Sequence, residues 1–156
     1  MKIVDIQPYE NFDVKFRLVI CNTRKEMARA RKKYTPDRDS KESTAVFSPM
    51  SYRVNDDDDI ELPGSFKSNV IGTMFVNLDD QRKYGDRIIA HECGHAAFAF
   101  HHHVRRYKGN FTDDYDKGEF EANGEGNEQE VFCYFLENTF EKVKQAINKH
   151  LKEYKK

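Results

Sequence analysis

The chain reads as an α+β protein, a small sheet covered by long helices, and three observations predict this. Apolar residues alternate strictly at Phe12, Val14, Phe16, Leu18 and Ile20, the period of a strand with one buried face. A second β-rich run, Val70-Ile71-Gly72-Thr73-Met74-Phe75-Val76, lies mid-chain. Two long stretches of helical character, from Ile88 to Val104 and from Asn127 to about Lys155, fill most of the C-terminal half. With 156 residues the expectation is one domain, residues 1–156, large enough to bury a core.

The elements follow in order. Phe12 to Cys21 is the half-buried strand. Thr23-Arg24-Lys25-Glu26 has the form of a capping box and opens a helix to about Tyr34. Thr44 to Val54 and Asn69 to Asn77 are β-rich, and Pro49, which cannot donate to a ladder, points to an edge or a bulge. Gly85-Asp86 starts the next helix. Arg105 to Gly126, rich in Gly, Asp and Tyr, reads as a long loop, a length typical of lids and binding loops. Asn127 opens the last helix.

Charge excludes more than it suggests. Lys and Arg number 26 and Asp and Glu 27, a net charge of −1, which gives no reason to expect nucleic acid or a membrane as partner. The basic run from Arg24 to Lys33 reads as a solvated helix face. Asp56-Asp57-Asp58-Asp59 lacks the alternating ligands of a calcium loop and reads as a solvated turn. Three cysteines, Cys21, Cys93 and Cys133, form no CxxC pair, and Met1-Lys2-Ile3-Val4-Asp5 has no apolar signal core. Both features favour a reduced, cytoplasmic setting. Nothing in the chain sets the oligomeric state.

The chemistry is concentrated in His91-Glu92-Cys93-Gly94-His95. Residues four apart share a helix face, so both imidazoles can reach one ion. Two nitrogen ligands at that spacing suit tetrahedral zinc, and Glu92 is placed to take a proton from an attacking water. Random order of 6 His and 13 Glu in 156 residues yields HExxH only about 2% of the time. The apolar surroundings, Ile88-Ile89-Ala90 and Ala96-Ala97-Phe98-Ala99-Phe100, are those of a ligand helix buried enough to be rigid. Gly94 marks an expected close approach, because a mid-helix glycine costs about 1 kcal/mol relative to alanine. Cys93, about 200° around the helix from His91, is expected in the core.

A catalytic zinc needs a third protein ligand. His101 has metzincin spacing, but Phe98 stands where that motif has its helix-breaking glycine, and no Met follows the motif. His102 shares the face of His91 and His95 but lies about 10 Å beyond His95 along the axis, too far for the same ion. Glu128 and Glu130 open the last helix. They lie about 200° apart, so only one can face the metal. The apolar stripe Phe132, Leu136, Phe140, Val143 and Ile147 runs closer to Glu128, and Asn127 with Glu130 also has the form of a capping box.

From about Arg87 to Thr139 the sequence resembles the minimal gluzincins, including ImmA/IrrE-like and related phage-encoded HExxH metallopeptidases. There HExGHA is followed by a glutamate with a small residue at plus three and a polar or aromatic one at plus four. Glu130, followed by Cys133 and Tyr134, fits. The resemblance implies a zincin-like domain: a small twisted, mostly antiparallel sheet on the HExxH helix, with a C-terminal ligand helix. It implies that Val70 to Val76, just before the motif helix, forms the cleft edge, where an extended peptide can add by main-chain hydrogen bonds.

The expected protein is a zinc metallopeptidase acting on a protein or peptide substrate, with one Zn²⁺ per chain on His91, His95 and Glu130 and Glu92 as general base. His102, His103, Tyr107 and Tyr115 are candidates for a second oxyanion donor. Two other classes remain open. One is a zinc-binding regulatory or interaction protein without turnover, and the other is an interaction domain without metal.

Overall fold

The computed structural model describes residues 1–9, 14–35, 45–49, 53–54, 60–61, 70–107 and 128–154; for 53–54, 60–61, 101–107 and 128–131 it describes the backbone alone. The fold is α+β. Strands β1 (Lys2–Ile6), β2 (Lys15–Cys21), β3 (Val46–Pro49) and β6 (Val70–Asn77) form a mixed sheet in the order β1-β2-β6-β3. The short β4 (Arg53–Val54) and β5 (Ile60–Glu61) pair separately. The described helices are α1 (Arg24–Tyr34), α2 (Leu78–Tyr84), α3 (Asp86–Tyr107) and α4 (Glu128–Tyr154). Among the described residues no helix is long and apolar enough to cross a membrane.

β1 and β3 each run antiparallel to their neighbour, whereas β2 and β6 are parallel, so the connection between them crosses over through α1. That central parallel pair makes the sheet mixed. It also explains why β2 is more than half-buried. Phe16, Leu18 and Ile20 face the main core with α3 and α4. Val19 and Cys21 are equally enclosed on the opposite face, against Met27 and Ala30 of α1. A strand covered on both sides loses the alternation that its first residues show.

Helix α1 starts as its sequence predicts. Thr23 Oγ1 accepts from the Glu26 amide at 3.1 Å, while the Glu26 carboxylate accepts from the amide of Asn22, one residue outside the usual box. The basic run is solvated except for Arg31, which is buried. Three elements carry weak sequence signals and are additions to the predicted order: β1, which pairs from Lys2↔Ile20 to Ile6↔Phe16, the two-residue β5, and the seven-residue α2. Asn77 caps α2 by accepting from the Asp80 amide at 2.9 Å, and Gly85, at φ 63°, stops it so that α3 begins at once.

Helix α3 continues to Tyr107, three residues past its expected end at Val104, because no Gly or Pro interrupts Arg105-Arg106-Tyr107. The rest of the predicted loop, Tyr115 included, and the Asp56–Asp59 turn lie outside the described residues. Helix α4 returns antiparallel to α3. Lys144 Nζ meets Asp86 at 2.6 Å, the Phe135 and Phe100 rings stack at 4.0 Å, and Phe132 touches Phe98 edge-on at 5.3 Å.

Candidate metal centre

His91, Glu92 and His95 lie in the middle of α3, where Ile89, Cys93, Ala96, Ala97 and Phe100 anchor the opposite face in the core. That burial leaves His91 and His95 exposed on the outer face. Their Nε2 atoms converge to 3.2 Å, with the ring planes crossed at 84°. Two ligands at about 2.0–2.1 Å from a tetrahedral zinc are separated by about 3.3–3.4 Å. The pair therefore fits one zinc ion with almost no rearrangement. A neutral His–His hydrogen bond has the same length, so the distance is compatible with the metal without requiring it.

Glu92 points elsewhere. It is 6% exposed, and its Oε2 accepts a hydrogen bond from the backbone amide of Phe47 in β3. The register explains why that amide is available. Antiparallel ladders alternate the side to which a residue's N–H points, and Phe47, opposite Met74, turns its own away from β6. The strand bordering the motif helix on this side is thus β3. β6 is interior, paired with β2 and β3 at once, so it is not the cleft edge expected from the resemblance. Pro49 lies on β3, the edge position its chemistry predicts. An interior strand has no free ladder to offer a peptide. At β3 the outward N–H of Phe47 is taken by Glu92, and Pro49 has none.

Cys93 is fully buried, and burial, then the neighbouring Glu92 charge, pushes its thiol up to about 12. It is a core residue, as its helix position predicts, and supplies no thiolate near neutral pH. Gly94 behaves differently from the expectation. A Cβ there would meet nothing within 4 Å among the described residues, so close packing does not explain it.

The third-ligand candidates are defined by backbone only. Along α4, Glu128 shares the helix face of Phe132 and the buried Phe135, whereas Glu130 shares that of the exposed Cys133, Tyr134 and Glu137. Axial position favours the other glutamate. Counting from the Phe98–Phe132 contact, Glu130 lies about 7–8 Å beyond His95 along the helix pair and Glu128 about 10–11 Å. The side chains of both, and of His101, His102, His103 and Tyr107, lie outside the described residues. Among the described residues no group of three or more His, Cys, Asp or Glu side chains comes together in ligand geometry.

Two features beside the motif were not legible in the sequence. The Phe47 amide is a backbone donor, visible only once β3 is paired. Phe98, expected in the apolar surroundings of the ligand helix, is instead 66% exposed, one turn past His95 on the same helix face.

Compared with models of protein families, with curated proteins and with solved structures, the chain matches none.

Proposed function

We infer that the chain is a zinc-dependent peptidase with a zincin-like fold, acting on a protein or peptide substrate. The observation that carries this is the 3.2 Å convergence of His91 Nε2 and His95 Nε2 on the exposed face of a helix that also carries Glu92. The order β2, α1, β3, β6, α3, α4 supports it, being a sheet with an antiparallel edge strand followed by a motif helix and a second helix that returns along it. In this reading His91, His95 and Glu130 hold one zinc ion, with Glu128 as the competing third ligand.

Bound zinc would supply Lewis-acid activation of the scissile carbonyl and the attacking water. Glu92 takes the proton of that water and passes it to the leaving amine. The Phe47 amide keeps one Glu92 oxygen occupied, which leaves the other for the proton. The anchored α3 core holds the two imidazoles at ligand spacing before any ion arrives, so little ordering is required on binding. The test is zinc content together with peptide hydrolysis in wild type and Glu92→Gln.

A second reading is favoured by the burial of Glu92. A carboxylate that joins α3 to β3 can serve structure alone, in a zinc-binding regulatory protein without turnover. Under that reading Glu92→Gln, which preserves an acceptor for the Phe47 amide, leaves the protein's behaviour unchanged.

A further inference from the structure

Gly72 lies in β6 opposite Pro49, at the end of the β3–β6 ladder. A Cβ built on Gly72 would come within 2.6 Å of Phe47 Cζ, 2.9 Å of Phe47 Cε1 and 2.6 Å of the Ser48 carbonyl oxygen. These separations are far inside van der Waals contact, and one of the clashing atoms is backbone, which cannot swing aside as a flexible side-chain tip does. Any side chain at 72 must push β3 outward. The Phe47 ring is also confined by its packing, 6% exposed and edge-on to Phe16 at 5.7 Å. The height of Phe47 above β6 is therefore set by the absence of a side chain at 72.

That height matters because the same residue's amide holds Glu92 Oε2. Hydrogen bonds to a carboxylate weaken steeply with distance and angle, so a displacement of β3 by a few tenths of an ångström loosens the grip. We propose that Gly72 is a positioning residue for Glu92: by letting β3 close onto β6, it places the Phe47 amide where it fixes the orientation of the Glu92 carboxylate, next in sequence to His91 on α3. The role rests on the zinc peptidase reading for its consequence, but its geometry does not.

The experiment uses the full chain and two readouts. One is hydrogen-exchange protection of the Phe47 amide by NMR. The other is the visible absorption spectrum after loading with Co²⁺, which reports the surroundings of the ion. Wild type and Glu92→Gln should protect the Phe47 amide, and Glu92→Ala should lose protection by at least tenfold. Gly72→Ala should lose it similarly, still take up one Co²⁺, and show an altered cobalt spectrum. If Gly72→Ala does not fold, Phe47→Leu removes the ring atoms closest to position 72, and the same two readouts should shift.

An unchanged Phe47 amide in Glu92→Ala, or in the folded position-72 variant, overturns the proposal. Lost protection with a wild-type cobalt spectrum also overturns it, since Gly72 would then serve strand packing alone. Absence of Co²⁺ uptake by wild type overturns the zinc reading and this role with it. Uptake with an unaltered Gly72→Ala spectrum overturns this role alone.

Discussion

The imidazoles of His91 and His95 meet Nε2 to Nε2 at 3.2 Å, one helical turn apart on the solvent side of α3. Neither position is needed for the core, so replacing either residue should cost little stability. Each should be needed for metal, because two remaining ligands rarely retain a catalytic zinc. Purified wild type should hold about one zinc per chain, and His91→Ala and His95→Ala should hold almost none while melting within a few degrees of metal-free wild type. Glu92→Gln should keep zinc and lose peptide hydrolysis by at least about a hundredfold, the scale of general-base catalysis. Elemental analysis of chelator-free wild type showing no metal would overturn the zinc reading.

For the third ligand, two features of α4 point in opposite directions. Face favours Glu128, whereas axial distance and the small-then-aromatic pattern of Cys133 and Tyr134 favour Glu130. The exposed face that Glu130 shares is also compatible with a site whose two histidines are themselves exposed. Glu130→Ala should weaken zinc binding by about tenfold or more, with Glu128→Ala and His101→Ala near wild type. A role for Glu130 in helix capping alone would cost about 0.5–2 kcal/mol of stability and leave the metal in place. Zinc affinity and melting temperature of the three variants separate these outcomes. Loss of zinc in Glu128→Ala alone would transfer the ligand to the buried face.

Local signals carried much of this architecture. The capping residues at Thr23, the β-branched run before Asn77 and the helical period around His91 act over a few residues, and each gives an element close to its predicted place. What escaped depends on pairing across the chain. β2 looks half-buried until α1 covers its second face. β1 is only five residues long, and its apolar residues Ile3, Val4 and Ile6 do not alternate strictly, so it stands out only once it pairs with β2. β6 is interior because β3, tens of residues earlier, takes its outer side, and that exchange also delivers the Phe47 amide to Glu92. The histidine spacing was legible because it is a property of one helix. The third ligand was not, because it depends on how a second helix is brought alongside.

The junction of β6 and α2 offers a stability test away from the site. Asp80 is 2% exposed and accepts from Arg24 Nε at 2.8 Å and from Asn77 Nδ2 at 2.6 Å, tying α1 to the start of α2. Removing the carboxylate takes the charged acceptor from the buried Asn77 amide and from the half-exposed Arg24 guanidinium. Asp80→Ala should therefore destabilise by about 2–4 kcal/mol in urea unfolding. Asn77→Ala, which loses the cap, should cost about 1–2 kcal/mol. Because Arg24 and Asn77 share Asp80, the double variant Arg24→Ala/Asp80→Ala should cost less than the sum of its parts.

His150 gives the fold a predicted acid sensitivity. Its Nε2 lies 3.0 Å from Asn22 Oδ1, joining the last turns of α4 to the end of β2, and the residue is 8% exposed. Burial, followed by nearby positive charge that includes Lys2, holds its pKa below the ordinary histidine value, against an opposing pull from Glu153 and Glu26. The folded chain thus keeps His150 neutral at a pH where the unfolded chain already binds the proton. Stability from this residue is present above the ordinary histidine pKa of about 6.5 and is lost as pH falls from there towards the lower folded value. One such group contributes a slope of at most about 1.4 kcal/mol per pH unit. Unfolding free energies by urea at pH 7.5 and 5.5 should fall further for wild type than for His150→Gln, which fills the site without a titrating ring. Equal losses in the two proteins would show that His150 is not the group responsible.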